Sequence, residues 1–188
     1  MSDLELIGMT GSLRSGSHNR ALLRACTDLL PDGASLDIVD LAPIPSYNGD
    51  LENDEDRPDP VRDLKTKLAR ADGLLIATPE YNHGIPGVLK NALDWASRPA
   101  FASPMAGLPV GMMSASPAKG GGVRAQQQLK LVLLGMVSEV FPHPGVAVGH
   151  SGDKFDDDMR LTDESTRDFV RDFLSDFVSW ARERSADG

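Results

Sequence analysis

The sequence predicts an α/β fold in which a five-stranded parallel sheet, with strand order 2-1-3-4-5, is covered by helices on both faces. Short apolar runs alternate five times with segments of helical period. Such alternation is typical of parallel strands joined by right-handed crossovers. A loop with a candidate ligand site follows the first strand, and in this strand order the ligand crevice lies beside that strand.

The first half of the chain contains three predicted strands and two predicted helices. Residues 4–9 are apolar and end at Thr10-Gly11, too short a run for a helix. Residues 19–30 place Leu22, Cys26 and Leu29 at helical spacing, and Pro31-Asp32-Gly33 ends that helix. The alternating second strand is residues 36–39. Pro60 begins a helix over residues 60–71, and the third strand is residues 74–78.

The second half repeats the pattern. A helix over residues 88–96 is followed by a turn-rich break at 99–104 and by a fourth strand at 110–113. The next predicted helix is residues 126–134, and the fifth strand is residues 136–141. The chain closes with a long helix, residues 165–184, whose aromatic stripe indicates packing on the sheet. Its members are Phe169, Phe173, Phe177 and Trp180.

Length and composition narrow the class of protein. We expect 188 residues to form a single domain spanning 1–188. The formal charge of -9 argues against nucleic-acid binding, because no basic stripe replaces the counterions of a phosphate backbone. No long apolar segment predicts a membrane helix, so we expect a cytoplasmic protein without a membrane partner. Cys26, the one cysteine, falls on the apolar face of the first helix, and the histidines have no metal-ligand spacing.

The loop after the first strand is predicted to bind an anion. It reads Gly11-Ser12-Leu13-Arg14-Ser15-Gly16-Ser17-His18-Asn19-Arg20 and leads into a helix. A helix N-terminus offers unpaired N–H groups and the positive end of the helix dipole. Hydroxyl, amide and guanidinium donors add to it, and this set suits a terminal phosphate. The alternative is an ordinary capped surface turn. The loop lacks the Walker lysine and the dinucleotide spacing.

The loops after the third and fourth strands should meet the first loop at the same edge of the sheet. The second loop, Thr78-Pro79-Glu80-Tyr81-Asn82-His83-Gly84-Ile85-Pro86-Gly87, presents backbone groups to the edge of a flat ring. The third loop, residues 114–122, ends in three glycines that would allow close approach. Each of these two signals is weak alone.

Taken together, these motifs resemble the NADPH-dependent FMN reductase family, which includes enzymes described as quinone, azo-dye and chromate reductases. The resemblance rests on Gly11-Ser12-Leu13-Arg14, Ser17-His18-Asn19-Arg20, Pro79-Glu80-Tyr81-Asn82, Pro86-Gly87-Val88-Leu89-Lys90-Asn91 and Asp94-Trp95. It covers most of the chain, although the last forty or so residues match only by helical pattern. It implies a flavodoxin-like three-layer sandwich with bound FMN.

The resemblance also implies roles for individual residues. The phosphate would be held by Ser12, Arg14, Ser17 and Asn19, and the isoalloxazine would lie against Pro79, Glu80, Tyr81 and Asn82. Ser114, Ser116, Gly120 and Gly121 would close the site. Family members are usually dimers or tetramers, for which Lys90, Asn91, Asp94 and Trp95 are interface candidates.

The implied activity takes hydride from NADPH or NADH onto FMN and reduces a quinone, free flavin, azo compound or metal oxyanion. We expect no catalytic side chain, because the cofactor carries the chemistry. Arg20 and Arg124 are candidates for contacting the extra phosphate of NADPH, and His83 is either a titrating group or a satisfied loop residue. Two alternatives remain: a flavodoxin-type electron carrier, and a flavin-binding sensor without NADPH turnover.

Overall fold

The computed structural model describes residues 3–53 and 55–186. Asp54, within the acidic connection, lies outside the described residues. The strands are β1 Leu4–Thr10, β2 Ala34–Val39, β3 Gly73–Ala77, β4 Pro109–Ala115, β5 Glu139–Val140 and β6 Val146–Val148. The helices are α1 His18–Leu29, α2 Asp59–Arg70, α3 Gly87–Ala96, α4 Val123–Gly135 and α5 Glu164–Ala186. No helix in the described part of the chain is long and apolar enough to cross a membrane.

The strands form one parallel sheet in the order β2-β1-β3-β4-β5, which confirms the prediction. Because β1 pairs with both β2 and β3, and β3 in turn pairs with β4, the loops after β1, β3 and β4 leave the same edge of the sheet. The first of these loops stands at the point where the strand order reverses, which is where such sheets bind ligands.

The predicted fifth strand, residues 136–141, is wrong in extent. Helix α4 ends at Gly135, but its C-cap residue Met136 still donates its N–H to Val132 O, and Val137 adopts a φ of 62°. Only Glu139–Val140 then pairs with β4, and Pro142 and Pro144 interrupt the ladder because proline has no N–H to donate. Pairing resumes at β6, a sixth strand that also lies against β4.

Two apolar cores flank the sheet. Helices α1 and α5 cover one face, where Phe173 and Phe177 are fully buried as the aromatic stripe predicts. Helices α2, α3 and α4 cover the other face. Cys26 is buried in the first core, and burial raises the pKa of its thiol to about 12. The thiol is therefore uncharged in the folded protein.

The interface prediction for α3 is wrong at Trp95. This side chain is 1% exposed and its Nε1 donates to Pro45 O at 2.9 Å. Asn91 holds the same segment, since its Nδ2 donates to Pro45 O and its Oδ1 accepts from Tyr47 N. Both residues anchor the loop after β2 and leave no side-chain surface for a partner at Trp95.

Helix α5 begins behind a carboxylate cap. Asp163 Oδ2 accepts from Thr166 N at 2.9 Å and from Lys154 Nζ at 2.9 Å, and these contacts, with the Thr166 hydroxyl first, hold the pKa of Asp163 well below its usual range. A carboxyl whose pKa is depressed by folding stabilises the fold above its unfolded pKa and loses that effect as pH falls toward the folded value.

We therefore expect Asp163→Asn to lower the melting temperature at pH 7, and the gap from the unmodified protein to shrink as pH falls below about 4. Thermal unfolding followed by circular dichroism between pH 7 and pH 3 measures this gap. Asp158→Asn, which removes an exposed carboxylate, is the control. A gap that stays constant across this pH range would contradict the cap's ionic character.

Candidate cofactor site

The first loop turns through residues 11–17 and leads directly into α1. Ser17 is the N-cap, and its Oγ accepts from Arg20 N at 3.3 Å. Ser12 and Ser17 are buried at 3% and 5% exposed, whereas Arg14 is exposed. The Arg14 side chain forms no hydrogen bond or ion pair among the described residues, so its guanidinium is available to a ligand.

The second loop packs directly on the first. Gly11 N donates to Ala77 O at 3.2 Å, and a Cβ at Gly11 would lie 2.9 Å from Pro86 Cγ. Pro79 Cδ would be 3.2 Å from the same position. Glycine is therefore required for the two loops to approach this closely.

The tip of the second loop is a tight hairpin. Tyr81 and Gly84 exchange both backbone hydrogen bonds at 3.0 Å, with Asn82 at φ 50° and His83 at φ 66° between them. Positive φ at both central residues matches a primed turn, in which asparagine is common and a non-glycine second residue is strained. The hairpin places Asn82 at an exposed tip and leaves Tyr81 49% exposed.

Glu80 joins the second loop to the third. Helix α4 starts after Gly122, which has no side chain to cap it. Glu80 supplies the missing cap, because its Oε2 accepts from Arg124 N at 3.1 Å and from Ala125 N at 3.4 Å. Its Oε1 lies 3.5 Å from both Arg124 Nη1 and His83 Nδ1. Glu80 thus works chiefly as a brace between two loops.

We expect Glu80→Ala to lower the free energy of unfolding by about 1–2 kcal/mol, the range of a lost helix cap. Urea denaturation measures the loss. Glu80→Gln keeps an oxygen that can accept from the α4 amides, so it should lose less. An alanine variant as stable as the unmodified protein would show that the cap contributes nothing.

The residues that the resemblance assigned to the third loop lie in different surroundings. Ser116 lies at the mouth of the cavity described below, and its N–H donates to Val148 O. Ser114 is fully buried and its Oγ accepts from Gln126 Nε2 at 2.6 Å. Gly121 has a φ of 60° and packs on the Ala147 backbone, while Gly120 faces open space. Neither Ser114 nor Gly121 presents its Cβ side to a ligand.

The three loops enclose a cavity of about 190 Å³. It is lined by Ser12, Arg14, Gly16, Ser17, His18, Asn19, Pro79, Glu80, Tyr81, Ala115, Ser116 and Pro117. This volume is below the roughly 300–1,000 Å³ of a whole small-molecule pocket. It fits the phosphate end of FMN, and the ring would lie outside it against the second loop. The donor set, two serine hydroxyls with a guanidinium at a helix N-terminus, suits a phosphate.

Asn19 is buried in this wall with a different task from the one expected. Its Nδ2 donates to Ala115 O and its Oδ1 accepts from Ala115 N, both at 2.8 Å. The side chain therefore fastens α1 to the end of β4. Through these bonds to the Ala115 backbone, Asn19 holds the first loop in position.

Sequence reasoning missed His18 as a lining residue. It is the first residue of α1, its Nδ1 lies 2.6 Å from Ser151 Oγ, and its ring stacks on Phe155 at 5.0 Å between centroids. Burial and the nearby Arg14 lower the pKa of His18. Its place directly after the N-cap serine was the available signal.

A larger cavity of about 680 Å³ lies at the opposite edge of the sheet. It is an open groove between α2, the segment before β4 and the end of α5, with Arg184 paired to Glu139 in its wall. No strand carboxyl end opens into it, so the smaller cavity is the better candidate for cofactor chemistry.

The sequence of this chain is similar to a known family and to several known proteins. The family model for NADPH-dependent FMN reductase matches residues 4–153. An NAD(P)H-dependent FMN reductase from Pseudomonas aeruginosa is 38% identical over 96% of this chain and 96% of its own length. A 2-hydroxy-1,4-benzoquinone reductase from Burkholderia is 38% identical over 96% of this chain and 98% of its own.

A solved structure of a flavoenzyme has the same fold as this chain. The flavoenzyme NAD(P)H:acceptor oxidoreductase FerB from Paracoccus denitrificans superposes with a TM-score of 0.87 at 32% identity, covering 96% of this chain and 98% of its own. The expected cofactor and reaction class are thereby confirmed: the protein is an FMN-dependent oxidoreductase that uses NAD(P)H. The chain belongs to the NADPH-dependent FMN reductase family.

Proposed function

We propose that this protein is a quinone reductase, with the cavity between the first, second and third loops as the phosphate subsite of FMN. The observation that carries the proposal is the convergence of Ser12, Arg14 and Ser17 on one small cavity at the start of α1. The similar 2-hydroxy-1,4-benzoquinone reductase supports the choice of acceptor. A bound flavin supplies hydride transfer from the nicotinamide and two-electron reduction of the acceptor.

The chain's own residues bind and orient the cofactor. Arg14 would contact the phosphate from the solvent side, and the serine hydroxyls would donate from the buried side. The backbone of residues 79–82 would lie against the isoalloxazine, with Tyr81 at its rim. Glu80 and Asn19 would fix the loops without touching the reacting atoms. No side chain is assigned a proton transfer.

Arg20 and Arg124 are not equally available to bind the extra phosphate of NADPH. Arg20 Nη2 donates to Ser12 O, so this side chain braces the first loop from within. Arg124 is 62% exposed beside Tyr81's hairpin, where it contacts His83. We therefore assign the NADPH phosphate to Arg124. His83 Nδ1 lies 3.0 Å from Arg124 Nη1, so its partner is a side chain and not the backbone.

We also propose that the protein is a homodimer or homotetramer. Helix α4 exposes apolar side chains on one face, namely Leu131 at 72% and Leu134 at 54%, with Val137 following at 49%. These residues replace Trp95 as the interface candidates on this chain. Sedimentation of the protein and of Leu131→Glu tests the assignment. A charge on this face, which the oligomer would bury, should shift the protein toward monomer.

The reaction is tested by purifying the protein without added flavin, recording its spectrum, and adding NADPH without oxygen. We expect the flavin band near about 450 nm to bleach promptly and to return when a benzoquinone is added. Arg14→Ala should lose flavin on dialysis, while Arg24→Ala, an exposed arginine further along α1, should keep it. A bound flavin that NADPH leaves oxidised would favour an electron carrier or a sensor. Failure to bind FMN would overturn the site assignment.

A further inference from the structure

We propose that His18 is a phosphate-binding residue of this site, donating from Nε2, and that it gives the protein a preference for FMN over riboflavin. The inference rests on the proposed phosphate subsite. His18 lines that cavity together with Ser12, Arg14 and Ser17. As the first residue of α1, it stands among the helix-terminal N–H groups on which a phosphate would lie.

Two contacts fix the imidazole. Nδ1 is 2.6 Å from Ser151 Oγ, and Ser151 is fully buried. The ring lies parallel to Phe155, with 5.0 Å between centroids and 5° between planes. Ser151 is itself tied to the third loop, because its N–H donates to Ser116 O at 3.1 Å. The orientation of the ring is therefore set before any ligand arrives.

This arrangement reserves the second ring nitrogen. Nδ1 contacts the Ser151 hydroxyl, and Nε2 carries a hydrogen both in the imidazolium and in the neutral tautomer whose Nδ1 accepts from that hydroxyl. No group among residues 3–53 and 55–186 bonds Nε2. A donor that is held in place at a phosphate subsite and has no protein partner is suited to the ligand.

Charge around the ring makes the contact proton-linked. Arg14, on the same loop, is the charged group that lowers the pKa of His18, whereas Ser151 and Phe155 on the facing segment bring no charge. A phosphate dianion would oppose the effect of Arg14 and raise the pKa of the bound state above that of the empty site. Binding would then take up a proton, so affinity for FMN should rise as pH falls through the bound-state pKa.

The experiment measures the dissociation constants of FMN and riboflavin for the flavin-free protein by quenching of flavin fluorescence. His18→Phe keeps a ring to stack on Phe155 and removes the donor. We expect it to weaken FMN by about tenfold or more, the loss of one charge-assisted hydrogen bond, while riboflavin changes by less than about twofold. Ser151→Ala, which frees Nδ1, should move the ratio in the same direction by a smaller factor.

The pH profile separates donation from simple packing. In the unmodified protein the ratio of FMN to riboflavin affinity should rise between pH 8 and pH 6.5, by at most about tenfold per pH unit for one linked proton. In His18→Phe it should be flat over this range, which lies above the second phosphate pKa of about 6. An unchanged ratio in the variants, or equal weakening of both flavins, would overturn the role of His18.

The same titration keeps this inference apart from the reductase proposal. It uses no nicotinamide and no acceptor, so a protein that discriminates FMN through His18 but fails to turn over quinone overturns only the proposed acceptor. A protein that binds neither flavin overturns the cofactor site and the role of His18 together.

Discussion

Gly11→Ala is expected to lower the affinity for FMN by about tenfold or more. The new methyl group would lie 2.9 Å from Pro86 Cγ and 3.2 Å from Pro79 Cδ, and neither proline ring can rotate away. The first and second loops must separate, at an overpacking cost of about 1–3 kcal/mol. Because the proposed phosphate and ring subsites lie on opposite loops, part of that cost appears as lost binding. Fluorescence titration of the flavin-free variant measures it.

Gly87→Ala is the matched control. Gly87 follows Pro86 directly, a Cβ there meets nothing within 4 Å, and alanine is favoured over glycine in a helix such as α3. We expect this variant to bind FMN like the unmodified protein. If both variants bound FMN normally, close contact between the two loops would not be a condition of binding.

Gly121→Ala has the largest expected effect on stability. Its Cβ would lie 2.8 Å from the carbonyl carbon of Ala147 and 3.0 Å from its oxygen, with φ at +60°. A left-handed alanine and a clash with strand backbone together cost about 3 kcal/mol, which corresponds to about 10 °C in melting temperature for a chain of this size.

Gly120→Ala tests whether the effect belongs to that position. Gly120 neighbours it in the same loop, is exposed, and has open space where a Cβ would lie. Differential scanning calorimetry should find the Gly120 variant within about 2 °C of the unmodified protein. Equal losses for the two variants would show that the loop tolerates no side chain at either position. If both variants were as stable as the unmodified protein, the backbone of β6 could shift to make room for the new methyl group.

The sequence predicted the sheet order because each strand and helix carries its own periodicity. It did not predict where the fifth strand is interrupted, because the interruption depends on two features that the hydrophobic pattern does not contain. Met136 caps the end of helix α4, and Pro142 and Pro144 have no N–H to donate to the ladder. The pattern likewise predicts that α4 starts at Gln126, whereas the helix starts at Val123. The difference arises because its cap comes from Glu80, more than forty residues earlier.

For the candidate site, the motifs predicted which loops meet and not what each side chain does there. Ser12, Arg14, Ser17, Pro79 and Ser116 line one cavity, as expected from strand carboxyl ends that share an edge. The tasks of Asn19 and Ser114 depend on partners distant in sequence, Ala115 for the first and Gln126 for the second. A residue type that can either bind a ligand or brace a loop is assigned only when its hydrogen-bond partners are known.

The burial of Cys26 would protect the protein if its acceptor is a quinone, as proposed above. Quinones are electrophiles that alkylate thiolates, and the thiolate is the reactive form of cysteine. The chain has one cysteine, and it is fully buried with its pKa raised to about 12. The folded protein thus exposes no thiolate, and alkylation of this residue by a quinone acceptor would require unfolding first.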